Sequence, residues 1–184
     1  LLNAYAMVKA GLASRALAIG ADTINRHTAP GDLVEPYAGA GAGALVLGTD
    51  KVLATVDAME SYSSDLSDGF RVEGERYLRT GMLLGTAKNE VGIDAHMLGA
   101  AEALFKKTGY QPSDFKYAVF QQTTPGFVRH QAKLLGFTKS QYAPSIIADY
   151  VGDTGSASPL IGLSKVFDQA CANDKIFLAG YGYG

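Results

Sequence analysis

The 184-residue chain predicts an α/β fold, and three observations carry that reading. First, residues 117–179 run as apolar segment, amphipathic segment, apolar segment, amphipathic segment, apolar segment, with short connections. That rhythm is the pattern of a buried sheet covered by helices. Second, two polar stretches leave apolar runs and enter helices. One is Gln121-Gln122-Thr123-Thr124-Pro125, the other Val151-Gly152-Asp153-Thr154-Gly155-Ser156-Ala157-Ser158-Pro159. Third, 22 glycines mark many tight turns and close backbone approaches. Ligands of α/β sheets gather at the carboxyl ends of strands, so Gln121, Asp153 and residues 180–184 are expected to meet at one pocket.

Residues 1–10 read as a helix with Leu1, Leu2, Tyr5, Ala6 and Val8 apolar, ended by Gly11. No N-cap and no methionine precede it, so further residues are expected upstream. Residues 16–20 suit a buried strand. Pro30-Gly31 marks a turn in the polar stretch that follows. Gly39, Gly41 and Gly43 precede the apolar run 44–47. A dinucleotide-binding loop needs its glycines after a strand, so these are read as close-packing positions. Val52, Ala54, Val56 and Ala58 alternate with other residues and predict a strand over 52–61. Residues 62–85 are polar and mixed in charge, and read as an excursion with short helical pieces.

Ile93, Met97, Ala101 and Leu104 fall on one helical face, and Gly109 stops that helix. A turn at Gln111-Pro112-Ser113-Asp114 leads to a strand over 117–120. A helix over 126–135 ends at Gly136. The apolar run 145–148 is expected as a strand, followed by the glycine-rich turn, a helix over 162–172 and a strand over 175–179.

Hydrophobic residues make up 47% and charged residues 18% of the chain, an ordinary globular balance. A net charge of −2 and the lack of a basic stripe exclude a general electrostatic grip on nucleic acid. No apolar run is long enough to span a bilayer, and the opening residues do not form a signal peptide. The single Cys171 excludes an internal disulfide and fits a reducing compartment, so a cytoplasmic protein is expected. Cys171 is read as a buried structural thiol. His27, His96 and His130 show no metal-ligand spacing, so no metal is expected. His130 reads as a packed or half-buried residue of its helix. Ser156 and Ser158 lack a hydrolase signature and read as cap or pocket-wall residues.

Several of these stretches, in this order, resemble the thiolase superfamily. They are Val119-Phe120-Gln121-Gln122, Leu134-Leu135-Gly136-Phe137, Gly152-Asp153-Thr154-Gly155-Ser156-Ala157-Ser158 and Gly180-Tyr181-Gly182-Tyr183-Gly184. Within that superfamily the chain looks like hydroxymethylglutaryl-CoA synthase and ketoacyl-acyl-carrier-protein synthase III. Phe70-Arg71-Val72-Glu73-Gly74-Glu75-Arg76-Tyr77 and Ala38-Gly39-Ala40-Gly41-Ala42 favour the former. The resemblance implies a layered αβαβα fold of two similar halves. Residues 1–50 would end the first half, and residues 51–184, with the excursion 62–85, would form most of the second.

The resemblance also implies an acyl-CoA condensing enzyme that works as a homodimer and needs no cofactor beyond its acyl-CoA substrate. A cysteine upstream of Leu1 would take the acyl group before a Claisen-type condensation. Gln121 stands where the family has a histidine, and Asp153 where it has an asparagine. Glutamine donates a hydrogen bond but does not shuttle protons, and an ionised aspartate only accepts. By resemblance the catalytic set is Gln121, Asp153 and the backbone N–H of Tyr183, with Gly152, Gly155, Ser156 and Gly182 binding substrate. Asp153 would act either as a neutral donor or as a base on the substrate's alpha carbon. The two substitutions also fit a second function, a catalytically weakened paralogue acting as a structural or channelling subunit. Its partners would be a thiolase and a small zinc-ribbon/OB-type protein. An acyltransferase with a non-CoA acceptor is a third reading.

Overall fold

In a computed structural model, residues 1–65, 69–80 and 92–182 are described. The chain opens with helix α1 (Leu2–Lys9), then strand β1 (Arg15–Thr23) and the single turn α2 (Ile24–His27). Strand β2 (Ala40–Gly48) returns antiparallel to β1, with Leu17 opposite Val46 and Gly20 opposite Gly43. Two short strands follow, β3 (Gly69–Phe70) and β4 (Arg79–Thr80), paired antiparallel. Helix α3 (Ile93–Thr108) comes next, closed by Gly109 in the left-handed conformation at φ 74°.

Strand β5 (Tyr117–Phe120) leads through the polar stretch into helix α4 (Pro125–Leu134), with Pro125 in its first turn. The short turns α5 (Lys139–Tyr142) and α6 (Ala148–Val151) then reach the glycine-rich turn. Helix α7 (Ser158–Phe167) and strand β6 (Ile176–Ala179) complete the order. β6 lies parallel to β5, and this pair forms the buried centre. Phe120 and Phe177 pack with Phe115, Phe137, Met97 and Val128 on one side. On the other, Val119 meets Leu163 and Val166 of α7. This parallel pair with helices on both faces is what the apolar runs predict.

Six expectations are corrected. Residues 52–61 form no strand, because no neighbouring strand takes up their backbone groups. Val52 and Val56 are exposed instead, and Lys107 holds the segment through Glu60 and the Met59 carbonyl. Residues 145–148 also form no strand. Pro144 starts a 3-10 turn over Ala143–Ser145, and the amides of Ile147 and Ala148 go to the Gln122 side chain rather than to a ladder. The glycine-rich turn is therefore entered from the turn α6. The glycines of 39–43 do not all precede β2; Gly41 and Gly43 lie within it, where the turn and α7 leave no room for a side chain. In the excursion 62–85, the described residues carry β3 and β4 and no helix, while 66–68 and 81–85 lie outside the described residues. β1 is likewise not a buried strand, since it alternates between a packed and an exposed face. Cys171 is exposed, beyond the end of α7, and so is not a buried thiol.

Candidate active site

Gln121 sits at the carboxyl end of β5, where its amide extends the parallel pairing to the Ala179 carbonyl at 2.9 Å. Its side chain is buried, and Nε2 donates to the Gly155 carbonyl at 2.8 Å. Asp153 reaches the same residue from the other side, with Oδ1 accepting the Gly155 amide at 2.8 Å. Gly155 thus joins the two carried-over residues through its two backbone groups. Its φ of 55° and a would-be Cβ only 2.5 Å from the Asp22 carboxylate make glycine necessary there. Gly152 is also left-handed, at φ 73°, and is packed against the Tyr37 carbonyl.

The turn is anchored to the first half of the chain. Asp153 donates its amide to the Tyr37 carbonyl at 2.6 Å, and its carbonyl accepts the Gly39 amide at 2.8 Å. At the end of β1, Asp22 Oδ2 accepts both the Ser156 amide at 2.7 Å and the Ser156 hydroxyl at 2.6 Å. Ser156 therefore spends its hydroxyl on Asp22, as a wall residue would. Burial pushes the Asp153 carboxyl up to about 6; the Gly155 amide opposes that rise and the Asp22 charge adds to it.

Gln122 is a residue whose role the sequence does not announce. It is fully buried and holds the loop ahead of the turn. Its Oε1 accepts the amides of Ile147 at 2.8 Å and Ala148 at 3.1 Å, and Nε2 donates to the Ser145 carbonyl at 2.9 Å. Its own amide donates to Ser158 Oγ at 3.0 Å. Each of these partners lies more than twenty residues away, so no local pattern marks them.

A depression of about 290 Å³ opens beside the turn, lined by Leu1, Gly20, Ser156, Pro159, Leu178 and Gly180. A second, of about 580 Å³, lies on the other side of Asp22, with Thr23, His27 and Gly41. Gly180 and Gly182 follow β6 and share its carboxyl end with Gln121. Tyr183 lies outside the described residues. His130 is half-exposed, and its Nε2 lies 2.6 Å from buried Asp94. Among the described residues, no three His, Cys, Asp or Glu side chains group as metal ligands, and no helix is long and apolar enough to cross a membrane.

This arrangement has recognisable relatives. Residues 105–184 match the family described as 3-oxoacyl-acyl-carrier-protein (ACP) synthase III C terminal. The chain is 37% identical over 181 residues to hydroxymethylglutaryl-CoA synthase of Methanosphaera stadtmanae, covering 98% of this chain and 51% of the relative. It is 39% identical to that of Methanopyrus kandleri, covering 97% and 49%. The chain therefore spans about half the length of the curated relatives it matches. Among solved structures, 3-oxoacyl-acyl-carrier-protein synthase III of Aquifex aeolicus superposes with a TM-score of 0.81 at 21% identity, covering 99% of this chain and 60% of that one. A hydroxymethylglutaryl-CoA synthase complexed with CoA gives 0.74 at 19% identity, covering 96% and 48%. Fold and collinear sequence agree: residues 105–184 match the synthase III C-terminal family, and the chain as a whole is similar to hydroxymethylglutaryl-CoA synthases and shares the fold of 3-oxoacyl-acyl-carrier-protein synthase III.

Proposed function

We propose that this chain is part of an acyl-CoA condensing enzyme of the hydroxymethylglutaryl-CoA synthase type. The observation that carries the reading is the meeting of Gln121 and Asp153 on Gly155, at the carboxyl ends of β5 and β6. In this reading a cysteine preceding Leu1 takes the acyl group; Leu1 lines the same depression as Ser156 and Gly180, which supports placing the nucleophile there. Gln121 has two amide hydrogens, one held by Gly155, and offers the other to the carbonyl of the second thioester. Asp153 acts as the base on the alpha carbon. With its pKa near 6 it is mostly ionised at neutral pH, close to the range where a general base works best. The backbone N–H of Tyr183 completes the set as an oxyanion donor, with Gly182 giving the substrate room and Gly152 letting the turn pack against the Tyr37 carbonyl. The acyl-CoA is substrate, no separate cofactor is required, and the working unit is a homodimer in the cytoplasm.

A second reading has an observation of its own. Gln121 and Asp153 both spend hydrogen bonds on holding the turn, as structural residues do. That favours a weakened paralogue serving as a structural or channelling subunit beside a thiolase and a zinc-ribbon/OB-type protein. Intact-protein mass spectrometry of the full-length protein after incubation with acetyl-CoA separates the two. The enzyme is expected to carry an acetyl group on the upstream cysteine, and that adduct is lost when the cysteine is replaced. Folded protein that takes no adduct from several acyl-CoAs leaves the subunit reading standing.

A further inference from the structure

Ser64 Oγ lies 2.6 Å from His96 Nε2, within the reach expected of a nucleophile and its base. The pair is assembled by two distant parts of the chain. His96 is in the first turn of α3, and Ser64 is at the end of the extended segment that runs back along that helix. The segment is fastened in order along α3. Glu60 pairs with Lys107 at 2.6 Å, the Tyr62 ring lies against Gly99, and Ser64 reaches His96. A Cβ at Gly99 would come within 2.6 Å of the Tyr62 ring, so the glycine allows this close seating.

The imidazole is held by packing as well. Tyr62 lies 5.5 Å from it, ring to ring, and Tyr181 stacks on it at 5.9 Å with an interplanar angle of 28°. Tyr181 lies two residues beyond β6, whose carboxyl end neighbours that of β5, where Gln121 sits. The pair is only partly buried, so a small reagent can reach it. Gln121 and Asp153 offer no imidazole, and His96 supplies one beside the same strand end.

We propose that Ser64 and His96 form a second acyl-accepting pair, which takes an acyl group from an ester or thioester. Ser64 Oγ forms the new bond to the acyl carbon as His96 Nε2 takes the hydroxyl proton. The carbon–sulfur or carbon–oxygen bond of the donor breaks, and His96 returns the proton to the departing thiolate or alkoxide. No oxidant or further reactant is needed. The thioester donor rests on the acyl-CoA reading above, whereas the pair's reactivity does not.

The test incubates the full-length protein with p-nitrophenyl acetate and, separately, with acetyl-CoA, followed by peptide mass spectrometry of the segment holding Ser64. Acetylation of Ser64 is expected with the ester. The His96→Gln variant keeps a polar partner for the hydroxyl but removes the proton acceptor, and should slow labelling by about a hundredfold or more. Labelling by the ester but not by acetyl-CoA supports the pair and overturns only its thioester donor. An unlabelled Ser64, or equal labelling in His96→Gln, overturns the proposal. Ser64→Ala, on a partly exposed segment, checks that the adduct is on that hydroxyl.

Discussion

Asp153 is the residue where burial and function pull on one proton. Its carboxyl is pushed up to about 6 by loss of solvent, with the Asp22 charge adding to the rise and the Gly155 amide holding it back. An unfolded aspartate titrates near ~3.9. Between these values the folded state binds more protons than the unfolded one, so stability falls as pH rises. The contribution is fully present below about 4 and lost above about 6. Asp153→Asn keeps an oxygen for the Gly155 amide and carries no charge. The variant is therefore expected to be more stable than the parent at pH 7.5, by on the order of 1–2 kcal/mol, with the gap closing towards pH 4. Urea titrations at a series of pH values measure it. A gap that stays constant with pH would show that Asp153 is not the group responsible. If Asp153 is the base, the same variant loses condensation while still taking an acetyl group, since acylation belongs to the cysteine.

At the scale of elements, the turn 152–158 is seated on β1 with no spare room. A Cβ on Gly20 would collide with the Ser156 carbonyl, a backbone atom that cannot swing aside. Gly48, at the far end of the paired strand, meets only ordinary contacts, with Arg15 Cγ 3.4 Å and the Ser14 carbonyl 3.6 Å from a would-be Cβ. Gly20→Ala is thus expected to cost about 2 kcal/mol and to loosen the Ser156–Asp22 contacts, as overpacking does. Gly48→Ala should change stability by less than about 0.5 kcal/mol. Chemical denaturation of the two variants decides this, and equal stabilities would remove the argument from close packing. The same contrast explains what was legible in the sequence. α3, β5, α4 and β6 follow from periodicity and from Gly109 and Gly136, because each buries a face that its own sequence defines. Residues 145–148 read as a strand by composition, yet Gln122 takes their amides, and that partner lies outside any local window. Gln121 does stand at a strand end, as the rule that strand ends gather ligands expects, whereas Asp153 follows the turn α6 and not the strand from which it was read. Asp22 was not legible, since its partner Ser156 lies 134 positions away and one carboxylate after a strand has no distinguishing pattern.

For the molecule as a whole, the β1–β2 ribbon has two unlike faces. Its inner side packs under the turn and α7, with Gly43 against Leu160 and Leu45 against the cluster of Val119, Leu163 and Val166. Its outer side carries Leu17, Ile19 and Val46, which are 55%, 65% and 70% exposed, and Leu17 stands directly opposite Val46 in the register. Leu1, Leu2 and Met7 of α1 are exposed as well. Contiguous apolar surface of this kind is rare on a protein that works alone. The chain also spans about half the length of its curated relatives. A polypeptide of these 184 residues is therefore expected to associate as its concentration rises. The paired substitution Leu17→Lys with Val46→Glu places opposite charges across the strands, which preserves the pairing while ending the apolar stripe. Sedimentation of the two proteins should show association in the parent and a monomer in the double variant, with helix and strand content unchanged. A parent that stays monomeric at every concentration would mean that this face tolerates water, and the ribbon would then need no cover to remain folded.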